Sequence, residues 1–127
     1  MSPPKPVLMN AFFDQLGSFL KELTAMYPDD PDFPLASTTI RLFKTTSPAF
    51  VLKQFYDSSK GFEDQILSKN ESFFLDHSFD EFKNDDAFDF NILSKLKSYV
   101  QAMPISSKEA VWVYVQNLYK LCKVYYS

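Results

Sequence analysis

The chain has 127 residues, 46% hydrophobic and 17% aromatic, with fourteen Phe, seven Tyr, two Gly, one His and one Cys. That length makes one domain with a core of its own, and the composition is too apolar for disorder. One Cys excludes an internal disulfide and a multi-cysteine zinc site, and two Gly disfavour a glycine-rich phosphate loop and the many tight turns of an all-β fold. The formal net charge is −3, unevenly spread: residues 69–89 hold seven acids against Lys69 and Lys83, whereas 90–127 hold five Lys against Glu109. Such acidity argues against sequence-independent nucleic-acid binding.

Residues 1–6, with Pro3, Pro4 and Pro6, read as a flexible lead, and 7–127 as a single helical domain. From Val7 to Tyr27 the apolar positions Met9, Phe12, Phe13, Leu16, Phe19, Leu20, Leu23 and Met26 predict a helix with a broad core-facing stripe, ended by Pro28. The run from Pro28 to Pro34 reads as a turn cluster. Asp30 with Pro31, or Asp32 two residues later, can start a second helix there, a short one of about ten residues carrying Leu35, Ile40, Leu42 and Phe43. Ser47-Pro48 marks a third start, a hydroxyl N-cap before Pro, with Gly61 as a break and a further turn or two from Phe62 to Leu67.

Residues 68–89 set large aromatics in an acidic, turn-prone background and read as a tethered loop with a helical turn near Phe79–Phe82. Phe90 to Met103 returns to helical spacing before Pro104. Ser106 and Glu109 then fit a capping box opening a last helix to about Tyr125. The sum is an all-α domain of five or six short helices joined by Pro-rich turns.

No catalytic constellation emerges. His77 reads as a solvated loop side chain and Cys122 as a buried structural thiol on an apolar stripe. Asp76 fails as the start of an EF-hand loop, because Glu81 and Ala87 fall where Gly and a bidentate Glu are needed. No metal or cofactor is expected. No stretch of about 18 apolar residues occurs and no secretory signal stands out, so an intracellular protein is expected.

The leading expectation is a non-enzymatic protein that binds a protein partner or itself, without a membrane or small-molecule substrate. Candidate contact residues are Trp112, Tyr119, Tyr125 and Tyr126 on the last helix, with Phe73, Phe74, Phe79 and Phe82 before it. An acidic patch (Asp76, Asp80, Glu81, Asp85, Asp86) and a basic patch (Lys95, Lys97, Lys120, Lys123) are the candidate charged surfaces. The alternatives are a nucleic-acid-associated factor using those Lys with nearby Tyr, and a weak carboxylate-metal enzyme in residues 76–89.

The series Phe12-Phe13, Leu16, Phe19-Leu20, Leu23 and Met26-Tyr27-Pro28-Asp29-Asp30-Pro31-Asp32-Phe33 resembles the start of small uncharacterised proteins of large nucleocytoplasmic DNA viruses of algae and protists. The resemblance runs on through Ser47-Pro48, Val51, Phe55 and Gln65–Leu75 to Lys108–Tyr114, about residues 11–121. Its most specific segment is Lys69-Asn70-Glu71-Ser72-Phe73-Phe74-Leu75, where Asn70 stands in place of an acid. The resemblance implies a viral origin, and with it host cytoplasm, virus factory or virion as the setting, together with an all-helical build; it brings no catalytic residues.

Overall fold

In the computed structural model, residues 3–76 and 91–127 are described, with backbone only for 91–94. Helix α1 spans Lys5–Met26. It opens two residues inside the expected lead. Pro4 sits at the N-cap and Pro6 falls in the first turn, where a missing N–H forfeits no helical bond. The Pro4 carbonyl accepts from the N–H groups of Val7 (3.0 Å) and Leu8 (3.2 Å). The helix stops at Met26 because Pro28 disfavours helical geometry at Tyr27, whose φ and ψ are −128° and 67°. Leu8, Phe12, Phe13, Phe19, Leu20 and Leu23 form its buried stripe.

The second helix begins at Asp32, one of the two starts the sequence offers, and runs longer than expected. Helix α2 runs Asp32–Thr46, and Asp30 shapes its start, its Oδ1 accepting the Asp32 N–H at 2.9 Å. Phe33, read as part of the turn, is thereby placed on the inner face of α2 and is fully buried. Helix α3 spans Pro48–Ser59, with Ser47 at the expected N-cap position, yet the Ser47 hydroxyl makes no capping bond. Pro48 alone pre-sets the first turn. A 3-10 turn, Lys60–Phe62, contains Gly61 and leads into α4, Glu63–Leu67.

After α4 the chain turns through Lys69 at φ 56°. The Asn70 N–H bonds back to the Gln65 carbonyl (2.9 Å) and the Lys69 N–H to that of Ile66 (3.2 Å), the Schellman pattern that satisfies terminal carbonyls. Asn70 then caps a helix the sequence reading put in a loop: α5, Glu71–Asp76. The Asn70 Oδ1 accepts the Phe73 N–H at 3.0 Å. The turn expected near 79–82 lies outside the described residues.

Helix α6 spans Asn91–Ala102 and α7 Ile105–Tyr125. The expected capping box does not form. Pro104 takes the N-cap position, α7 begins one residue before Ser106, and Glu109 pairs with Lys69 instead (2.7 Å). Five helices of twelve residues or more carry an all-α domain, with α4 and α5 as short additions and no strand among the described residues.

Helices α1 and α7 make the most extensive pairing, with α2 on α1 and α3 against both α2 and α7. The fully buried side chains are Phe12, Phe33, Val51, Leu52, Leu118 and Cys122. Phe12 packs edge-on against Phe13 (5.6 Å) and Phe55 (5.7 Å), and Phe19 stacks on Tyr114 (5.1 Å), joining α1 to α3 and α7. Leu96, Val100 and Met103 bring α6 and its exit into the same core. Cys122 is the buried thiol expected, and burial pushes its pKa up to about 12. No helix among the described residues is long and apolar enough to cross a membrane.

Candidate functional site

The aromatic residues proposed as a contact surface on α7 are largely used inside the molecule. Trp112, Tyr119 and Tyr126 are spaced by seven residues, about two helical turns, and so share one stripe. The chain's own residues 56–74 cover that stripe. Phe74 meets Trp112 edge-on at 6.2 Å, while Tyr56 stacks on Tyr119 (6.1 Å) and on Tyr126 (5.2 Å). Tyr119 is only 2% exposed, so its assignment to a free surface is corrected: it is core. Tyr125 carries the Lys5 ammonium 5.0 Å from its ring centre and leans on Tyr126 at 4.8 Å. Phe73 packs against Phe62 (5.4 Å), and Phe74 joins the core margin. Phe79 and Phe82 lie outside the described residues, as does His77.

A second stripe on α7 explains why residues 63–71 are held there. Glu109, Gln116 and Lys123, again seven apart, face Lys69, the α4 carboxyl end and Glu63 in antiparallel order. The Gln116 Nε2 donates to the Ile66 (3.1 Å) and Leu67 (3.2 Å) carbonyls at the end of α4, the first of which also accepts the Lys69 N–H. Lys108 pairs with Glu71 at 2.8 Å, so the ion pairs at this end alternate in sign across the two segments. The Lys123 ammonium holds the Glu63 carboxyl below its ordinary pKa. These pairs are exposed and worth little singly, so their role is register rather than bulk stability.

The charged patches fare unevenly. Asp76 is exposed at the end of α5, and Asp80, Glu81, Asp85 and Asp86 lie outside the described residues. Of the basic candidates, Lys120 is exposed on α7 and Lys97 half-buried on α6. Lys123 is neutralised by Glu63, and Lys95 by Asp30 (3.0 Å) and Asp32. A patch of four free lysines therefore does not exist.

Lys95 belongs to a tight polar cluster that sequence reading did not anticipate. The Tyr99 hydroxyl donates to Asp30 Oδ2 at 2.6 Å, beside the Lys95 ammonium and the Asp32 N–H. Tyr99 also stacks on Tyr27 at 3.7 Å, so α6 is clasped to the α1–α2 corner by both ring and charge. The donors, Tyr99 first, pull the Asp30 carboxyl down to about 2, and Asp32 followed by Asp30 raises Lys95. An open depression of about 410 Å³ borders Tyr27, Asp29, Asp30, Lys95 and Tyr99. Its charged groups already satisfy one another. A carboxylate held so acidic is a poor base near neutrality, so the cluster is a clasp rather than acid–base machinery.

The clasp is pH-sensitive in a defined direction. Asp30 is ionised in the folded chain down to about 2, against an ordinary value of 3.8. The folded state thus binds this proton less tightly than the unfolded one. The stability it contributes is complete above the unfolded value and is lost as pH falls from 3.8 through about 2. Thermal melts across that window should show the wild type losing more than Asp30→Asn, which keeps an acceptor for the Asp32 N–H. Parallel losses would refute the clasp's electrostatic role.

One surface escaped the sequence reading altogether. On α2, at about 100° per residue, Phe33, Ala36, Ile40 and Phe43 point inward. Pro34, Leu35, Thr38, Thr39, Leu42, Thr45 and Thr46 occupy the opposite arc of about 140°. None of them is charged. Leu35 is 61% exposed and Leu42 62%. The threonine hydroxyls bend back to the helix. Thr38 donates to the Pro34 carbonyl (3.2 Å), Thr39 to Leu35 (3.0 Å), and Thr45 and Thr46 to Leu42 (both 2.9 Å). With their hydroxyls satisfied, these residues present methyl groups outward. Grouping Leu35 and Leu42 with Ile40 and Phe43 as helix-forming positions hid the face. Assigning each position to an angle would have exposed it, since both lie well away from Ile40.

Comparison with known proteins finds no matching family model, and no curated protein or solved structure matches the chain.

Proposed function

We propose that this chain is a non-enzymatic helical module that works by docking another protein, with the outer face of α2 as its contact surface. The observation that carries this reading is an uncharged arc on a solvent-facing helix, with two leucines each more than half exposed. A helix that only had to stay soluble would carry charges there, as the outer sides of α1 and α7 do with Lys21, Glu22 and Lys120. The large-DNA-virus setting implied by the resemblance fits a small adaptor of this kind and is part of the same proposal. The nucleic-acid alternative loses support because Lys95 and Lys123 are held by carboxylates.

Site-specific photo-crosslinking tests the reading. A photoreactive phenylalanine at Leu35 or Leu42 should give a discrete adduct in the protein's native cells, and the same probe at exposed Ser18 on α1 should not. Absence of adducts at both leucines, or equal labelling from Ser18, would sink it.

A further inference from the structure

The docking face carries a charge signature that narrows its partner. Arg41 and Lys44 lie along one flank of the uncharged arc, both exposed. Among the described residues neither has an ion-pair partner, and Arg41 makes only a long bond, 3.5 Å, from Nε to the Ser37 carbonyl. Elsewhere the lysines of this acidic chain are mostly answered: Lys53 and Lys60 by Asp57, Lys69 by Glu109, Lys95 by Asp30, Lys108 by Glu71 and Lys123 by Glu63. Two unanswered cations beside an apolar strip are a complementary half of an interface.

We infer that the occupant of the α2 face is an amphipathic helix of another protein, with an aliphatic seam and Asp or Glu along the edge that meets Arg41 and Lys44. This rests on the docking reading above. The fifteen residues of α2 give a contact line of about 22 Å, enough for four turns of a partner helix lying alongside. Exposed Thr methyls between Leu35 and Leu42 leave shallow steps for the partner's larger aliphatic side chains. A second copy of this chain fits badly. An antiparallel two-fold pairing lays each flank on its own equivalent, so the basic edge of Arg41 and Lys44 would meet the same basic edge of the other copy. A membrane surface fits less well too, since the arc has two leucines and no aromatic to insert.

Fluorescence anisotropy with two synthetic helical peptides tests this. Both carry the same leucine seam, one with Glu and one with Lys along a single flank. The full-length protein should bind the Glu peptide at least tenfold tighter than the Lys peptide, with the gap shrinking as salt is raised. R41E/K44E should abolish or invert the preference, and L35S/L42S should weaken both peptides. All four positions are exposed, and an unchanged melting temperature confirms that the variants fold. Equal affinities, a preference untouched by R41E/K44E, or no binding by either peptide would overturn the inference. So would a cross-linked adduct of twice the chain mass as the sole product, or co-sedimentation with phosphatidylserine vesicles that L35S/L42S abolishes. Adducts of other proteins at Leu35 and Leu42 without a charge preference would leave the docking face standing and remove only its acidic partner.

Discussion

Phe33→Ala should cost about 3–5 kcal/mol of folding stability, read as a lower urea midpoint at constant slope. The ring is fully buried and lies 6.1 Å from Tyr27 and 5.8 Å from Tyr99, where the start of α2 meets the end of α1 and the flank of α6. Removing it subtracts the transfer free energy of an aromatic side chain and leaves a void between three helices. The polar clasp of Asp30, Lys95 and Tyr99 keeps those helices from closing on that void, so little of the loss is recovered by collapse. Leu35→Ala, two residues on and 61% exposed, is the control and should stay within about 0.5 kcal/mol. A cost below about 1.5 kcal/mol at Phe33 would mean that the corner repacks and is not a fixed joint.

Phe33 also shows where the sequence is legible and where it is not. Helix stops are chemical and local. Pro28 ends α1, Pro48 opens α3, Gly61 falls in the break, and Pro104 separates α6 from α7. The apolar stripe of α1 likewise needs only its own spacing. Phe33 was obscured because three prolines around it look like a turn. Only the Asp30 side chain, by holding the Asp32 N–H, moves the helix start far enough back to bring Phe33 onto the inner face. The capping box misled for the opposite reason. Ser106 and Glu109 have the right spacing, but Pro104 starts the helix earlier and Lys69, forty residues away in the chain, offers Glu109 a full charge. Asn70 was passed over because acidic, aromatic surroundings suggested a loop, although a single Asn is a sufficient cap.

The same distinction governs the last helix. Its many aromatics signalled exposed contact surface, yet what consumes them is residues 56–74, which no local pattern ties to α7. Tyr119 is the decisive case. It is 2% exposed and stacked with Tyr56, and burial first, then the nearby Glu63 carboxylate, pushes its hydroxyl up to about 12. Tyr119→Ala should therefore cost about 3–5 kcal/mol, the scale of a buried ring, by thermal or urea unfolding. Tyr119→Phe keeps the ring and gives up only the hydroxyl, and should cost no more than about 1.5 kcal/mol. Tyr126→Ala, 38% exposed on the same stripe, should cost about 1 kcal/mol through its stack on Tyr56. That order separates a strut from a contact surface. If α7 presented these rings to a partner, Tyr119→Ala and Tyr126→Ala would leave stability nearly unchanged and remove binding together. If α7 is the central strut, Tyr119→Ala loosens the whole domain, while the α2 face of Tyr126→Ala still captures its cross-linked partner at Leu35 and Leu42. Near-neutral stability of Tyr119→Ala would return the C-terminal helix to the surface.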